Sequence, residues 1–184
     1  MATIFSHGIV AIAIGSSFSP RLIPRSLWVV GVFCAIFPDS DVLGMALGIE
    51  YEDFWGHRGF THSLLFSLML SAVFSFAILY KRSHKLLIFI FLCVVTASHG
   101  LLDALTDGGL GVAFFSPFNN ERYFFPLTPI SVSPIGVDFI KDGGLEVLKN
   151  EFVWIWIPTI AWIAAWSSWY GKKNTALQKL DTAP

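Results

Sequence analysis

The sequence predicts an all-α, polytopic membrane helix bundle, and three observations carry that expectation. Of 184 residues, 54% are hydrophobic and only 14% charged, whereas soluble domains carry about 25% charge. Apolar stretches near membrane-spanning length recur along the chain. One turn-rich segment, about 106–151, interrupts them as a long loop that is expected to be external. The same composition excludes intrinsic disorder and a disulfide-stapled mini-protein. A net charge of -1 offers no electrostatic footprint for nucleic acid, so no direct nucleic-acid binding is expected.

About five membrane segments follow in order: Ile4–Phe18, Leu27–Ile49, Phe60–Tyr80, Leu86–Leu105 and Phe152–Tyr170. A crossing helix needs roughly 20 mainly apolar residues. The third, fourth and fifth segments meet that length. The second is interrupted by Pro38, Asp39 and Asp41, and the first is short and contains His7. No Lys or Arg precedes Arg21, so the first segment reads as an uncleaved helix rather than a signal peptide. Cys34 and Cys93 lie inside apolar runs and read as small hydrophobes. Residues 1–171 form one membrane-embedded helical domain in this reading, and 172–184 form a polar cytoplasmic tail expected to fray.

If all five segments cross, Arg21, Arg25, Lys81, Arg82, Lys85, Lys172, Lys173 and Lys179 share one side. Arg58, Arg122, Lys141 and Lys149 fall on the other. The positive-inside bias then puts the N-terminus outside and the C-terminus in the cytoplasm. Within the external segment, Tyr123–Val132 is aromatic and partly β-branched, compatible with a short β-hairpin or with rings lying along the membrane interface.

A small group of ionisable residues lies in or beside the apolar segments: His7, Asp39, Asp41, His57, His62, His99 and Asp103. At the centre of a membrane helix such residues cost about 2.5–3.5 kcal/mol each. Alternating traversal brings all seven to one membrane face. His84 falls on the opposite face and reads as an ordinary loop residue. His99 and Asp103 are spaced i, i+4 and share a helical face. Thr61 stands where an N-cap would precede the third segment. Pro38-Asp39-Ser40-Asp41 marks a helix break.

Imidazole and carboxylate donors without thiolate suit a divalent metal, zinc first, with manganese or iron also compatible, as one or two ions. All seven residues are candidate ligands. Asp39 or Asp41 is the candidate for a proton-accepting base. Arg58 would neutralise an oxyanion or hold a phosphate, unless it simply snorkels to the interface. Ser63 and Ser98 neighbour these residues and read as small helix-packing positions. Two other classes compete with a hydrolytic centre: a metal or proton transporter, and a non-catalytic protein braced by a structural metal.

In combination, Ser6-His7-Gly8, Pro38-Asp39-Ser40-Asp41, His57-Arg58-Gly59-Phe60-Thr61-His62-Ser63 and His99-Gly100-Leu101-Leu102-Asp103-Ala104-Leu105-Thr106 form a specific pattern. Phe115-Ser116-Pro117-Phe118 accompanies it. The pattern resembles the YdjM/YbcI-type family of bacterial inner-membrane proteins, described as membrane-bound metal-dependent hydrolases. The resemblance covers most of the chain and implies a metal centre in a bundle of membrane helices. More distantly, that family is similar to the zinc phospholipase C and P1 nuclease group. This implies a phosphoester or lipid-linked substrate, in keeping with membrane lipid as the natural partner of a site at the interface.

Overall fold

The structure, a computed structural model, describes residues 1–79, 81–141 and 143–181. Helix α1 spans Ile4–Ser16 and α2 spans Arg25–Ile36. A 3-10 turn at Phe37–Asp41 follows, and α3 at Val42–Ala46 continues it. After an irregular loop and a short 3-10 turn at Phe60–His62 comes α4, Leu64–Ala72, extended by a π-helical stretch at Val73–Ile78. The central helix α5 spans Lys85–Ala104. Short helix α6, Asp138–Lys141, precedes α7, Gly144–Glu151, which runs through a π-helical turn at Phe152–Trp156 into α8, Ile157–Asp181.

Helix α5 organises the bundle. Its buried positions Ile88, Phe91, Leu92, Val95, His99 and Asp103 recur at three- and four-residue steps, so one face looks inward along its whole length. Helices α1, α2 and α4 pack directly on it, and α8 packs on α1. The core is formed by Ala11, Leu27, Cys34, Ala35, Phe91 and Leu92, among others. Gly31 allows α2 to approach closely: a Cβ there would sit 2.7 Å from the Phe91 ring. The outer faces carry exposed Val29, Leu68, Val94 and Ile160, as helices surrounded by lipid require.

Three helical segments are long and apolar enough to cross a membrane: Arg25–Ala46, Lys85–Ala104 and Gly144–Gly171. They correspond to the second, fourth and fifth expected segments. The third falls short, because Ser63 caps α4 by accepting from the Phe66 amide at 3.0 Å, and the apolar helix is Leu64–Ala77. The second keeps about its expected length, Arg25–Ala46, because the Pro38 region tightens into a 3-10 turn without ending the helical path. The fifth begins at Gly144, shortening the long loop. Lys149 pairs with Glu146 at 2.7 Å on that added stretch.

Thr61 is not the cap of α4; its hydroxyl donates to Asp41 instead. The tail expected to fray after residue 171 has helical backbone through Asp181, a stretch free of proline, while 182–184 lie outside the described residues. The Tyr123–Val132 hairpin is also corrected. Tyr123 pairs with Val112, and Ile130 pairs with Thr106. Pro126 and Pro129 lack the amide hydrogens an internal ladder would use. Among the described residues these bridges are isolated and form no strand.

The segment 105–137 is stitched across one end of the bundle. Phe125 and Ile130 amides donate to Ala104 and Leu105 carbonyls, the Ala113 amide to Arg58, and the Ser133 amide to Met1. Beneath it, fully buried Glu151 accepts from the Thr3 amide, the Thr3 hydroxyl and the Ser6 hydroxyl. A carboxylate on α7 thus satisfies the N-terminal turn of α1. Trp156 Nε1 adds a 2.8 Å bond to Ser6.

Removing that acceptor strands several buried donors, at about 1–3 kcal/mol per group. Glu151→Ala is expected to lower the melting temperature in detergent by about 6–12 °C, on a loss of about 3 kcal/mol. Glu151→Gln, which keeps one acceptor, should lose about half as much. Tryptophan-fluorescence melting measures both.

Candidate metal centre

Four chain segments deliver the polar residues to one place. Helix α5 presents His99 and Asp103 one turn apart on its buried face. The Pro38 turn swings Asp39 and Asp41 toward the same end of α5. The loop before α4 is wound tightly enough that a Cβ at Gly59 would lie 2.4 Å from the Phe54 carbonyl. Its neighbour Arg58 takes a left-handed φ of 63°, and the Phe60–His62 turn then sets His62 opposite His99. Near the start of α1, His7 stacks on His99 with ring centroids 3.8 Å apart.

At the middle of this arrangement are His62 Nε2, His99 Nε2, one oxygen of Asp39 and one of Asp103, all within 4.8 Å of one another. The two imidazole nitrogens are 2.9 Å apart. Asp39 Oδ1 lies 3.3 Å from His99 Nε2 and 3.6 Å from His62 Nε2. Asp103 Oδ2 lies 3.5 Å from His62 Nε2 and 3.9 Å from His99 Nε2. Ligands held at about 2.0–2.2 Å around tetrahedral zinc are separated by roughly 3.3 Å, a length that these edges of 2.9 to 3.9 Å bracket.

The outer nitrogens of the two imidazoles decide what the inner ones can do. His99 Nδ1 sits 2.6 Å from the Ala35 carbonyl, which only accepts. His62 Nδ1 sits 3.2 Å from Asp41 Oδ2, another acceptor. These partners assign the ring protons to Nδ1 in the neutral tautomers, leaving both Nε2 atoms with inward-facing lone pairs. Two lone pairs at 2.9 Å repel unless a proton or cation lies between them. Both oxygens of Asp39 and Oδ2 of Asp103 are buried without a hydrogen-bond partner. The donor set therefore fits a divalent ion.

The two aspartates of the Pro38 turn separate in role. Asp41 is saturated: it meets His57 Nδ1 at 2.8 Å, the Thr61 hydroxyl at 2.6 Å, the Arg58 amide at 3.2 Å and His62 Nδ1. It orients His62 and His57 from behind, as outer partners of metal ligands do. With Asp41 and His62, His57 also forms a second group of metal-type atoms. Asp39 faces the inner set directly. His7 Nε2 lies 3.6 Å from Asp103 Oδ1, at the edge of the cluster, and both its nitrogens are buried and unbonded.

Arg58 does not snorkel. It is fully buried, with Nε 3.3 Å from Asp103 Oδ2, NH1 donating to the Gly108 carbonyl and NH2 to Thr106. Its guanidinium ties the overlying segment to Asp103 rather than facing open space. On the rim, Arg122 donates to the His57 and Tyr51 carbonyls at 2.8 and 2.9 Å. Burial lowers the Arg122 guanidinium below its usual range and pushes the Tyr51 phenol up.

Several contributors escaped sequence reasoning. The Ala2 amide donates to Asp103 Oδ1 at 2.8 Å, and nothing in the residue type announces that. Thr106, three residues past Asp103, braces Arg58 and bonds back to the Asp103 carbonyl; its place in the quoted motif was the available signal. For metal binding by mass spectrometry, His99→Ala and Asp103→Ala are expected to lose stoichiometric metal. Asp41→Asn should retain one ion with affinity about 10–100-fold weaker.

The profile of the YdjM inner membrane protein family matches residues 1–175. Inner membrane protein YbcI of Escherichia coli (strain K12) is 36% identical over 160 residues, covering 86% of this chain and 92% of that protein. No solved structure matches. The family match extends from the first helix into the last, beyond the span of the quoted motifs. With three apolar helices of crossing length, the chain belongs to the YdjM family of inner membrane proteins.

Proposed function

We propose that this protein is a membrane-bound metal-dependent hydrolase whose His/Asp centre acts on a lipid-linked or phosphoester substrate at the outer face of the membrane. The observation that carries this reading is the pair of inward lone pairs on His62 and His99, closed by Asp39 and Asp103. A divalent ion held by those four residues, zinc first, would supply a water of lowered pKa and a polarising charge.

The protein's own groups divide the remaining work. Asp39 is the least enclosed of the four, with its side chain 7% exposed against 0% for the other three. Its second oxygen has no hydrogen-bond partner, so it is the group placed to accept the proton of an attacking water. Asp41 holds His62 in the tautomer that directs Nε2 inward. Arg58 positions Asp103 and offsets its charge, a holding role in place of direct contact with an oxyanion. Beside the centre, Leu64, Leu101, Phe114, Phe115, Phe124 and Phe125 line an apolar cavity of about 320 Å³. A cavity of that chemistry suits a lipid chain more than a soluble ester.

This reading includes five traversing segments, the N-terminus outside and the C-terminus in the cytoplasm, because the basic loops then fall inside. A structural brace is the second reading, favoured by the burial of every inner ligand, since closed sites are the structural type. A transport role gains little: Ala35, Phe91, Leu92 and Val95 form an apolar floor below His99.

Purified protein in detergent is expected to hydrolyse phospholipid or model phosphodiester substrates, to lose activity on chelation, and to regain it with zinc, manganese or iron. His62→Ala and Asp103→Ala should reduce turnover by at least 100-fold. Metal retained without turnover, together with unfolding on chelation, would support the brace. For orientation, Asn119→Cys should react with a membrane-impermeant maleimide from outside whole cells, and Lys81→Cys should not. The reverse labelling would invert the topology.

A further inference from the structure

At the end of the bundle away from the His/Asp centre lies a second cavity of about 340 Å³, lined in part by Arg21, Leu27, Lys81, Arg82, His84 and Ile88. Its volume falls in the range of small-ligand sites, roughly 300–1,000 Å³. Fourteen residues of α5 separate Lys85 from His99, about 21 Å along the helix axis. The two sites are therefore distinct.

The cavity wall is cationic. Arg21 comes from the α1–α2 connection and Lys81 and Arg82 from the connection into α5, and Arg25 and Lys85 open the two flanking helices. No Asp or Glu occurs in 1–38 or in 54–102. Arg21, Arg25, Lys81, Arg82 and Lys85 are all exposed. The N-termini of α2 and α5, two of the segments long enough to span, both open here, and their dipoles add positive potential. The floor is apolar, with Leu27 and Ile88 almost fully buried. Residue His84, in a left-handed conformation at φ 58°, turns the chain into α5 directly at the rim.

Positive-inside sorting alone requires basic loops; it does not require that two loops wall one cavity with cationic side chains over an apolar base. That combination matches a phosphate joined to a glycerol and acyl chains lying at the level of the helix ends. Basic pockets between membrane helices on the cytoplasmic side bind anionic lipid head groups in this way. We propose that this cavity is a binding site for the head-group phosphate of an anionic phospholipid of the cytoplasmic leaflet.

The test is a lipid titration of the full-length protein in detergent, read by native mass spectrometry and by thermal shift. Phosphatidylglycerol should bind saturably and raise the melting temperature, while phosphatidylcholine at equal mole fraction should do neither. Arg21→Gln combined with Arg82→Gln should weaken phosphatidylglycerol binding by about thirtyfold, at about 1 kcal/mol per basic residue. Both side chains are exposed, so the fold should survive. The control removes two cations from the other side, Lys141→Gln with Lys149→Gln, and should leave binding unchanged. Equal loss in the control would reduce the effect to bulk charge and overturn the site. Saturation of the cavity by inorganic phosphate or glycerol 3-phosphate at comparable concentration would overturn the lipid assignment. Absence of any preference for phosphatidylglycerol would overturn the proposal outright.

Discussion

Two imidazole nitrogens that aim their lone pairs at the same point constrain most of what surrounds them. His62 and His99 meet at 2.9 Å with their outer nitrogens already committed to Asp41 and to the Ala35 carbonyl. Buried in an apolar bundle, that contact is unfavourable by itself. It becomes favourable only with positive charge between the rings and negative charge close by, which Asp39 and Asp103 supply. Metal sites commonly arrange their residues in this way, with the outer partners fixing the tautomers and the inner atoms left free.

The architecture follows from holding those atoms still. The four inner residues arrive on three supports: a 3-10 turn for Asp39, a short turn before α4 for His62, and a full helix for His99 and Asp103. The segment across the end of the bundle is then fixed from below by Arg58, which reaches Gly108, Thr106 and Asp103 at once. Glu151 does the equivalent for α1, satisfying its first turn and keeping His7 against His99. Three buried charges, Asp103, Arg58 and Glu151, are thus each met by several donors or acceptors. This is the condition under which charged groups are tolerated out of water.

Much of this was legible in the sequence because charges are scarce in it. In a chain so apolar, His99 four residues before Asp103 and the cluster from His57 to His62 stand out, and an alternating run of segments leads to the expectation that they meet at one end of the bundle. What sequence could not assign was role. Asp39 and Asp41 are two residues apart, and only tertiary distances show that one faces the cluster while the other backs His62. Arg58 reads equally well as a snorkelling or a phosphate-binding residue until its three partners, 45–50 positions away, are known. The β-branched run at Tyr123–Val132 misled because its partners lie in 106–112, a pairing that local pattern does not encode. Helix lengths failed for a similar reason: an apolar run marks lipid contact, but Ser63 decides where α4 starts.

The decisive measurement is X-ray absorption on metal-loaded protein. Zinc held by His62, His99, Asp39 and Asp103 should show a first shell of nitrogen and oxygen alone at about 2.0–2.2 Å, with the outer-shell scattering of two imidazoles. That two-imidazole signal should persist in Asp41→Asn, which keeps the ion. A sulfur shell near 2.3 Å, or a hydrated ion without imidazole scattering, would contradict that ligand set.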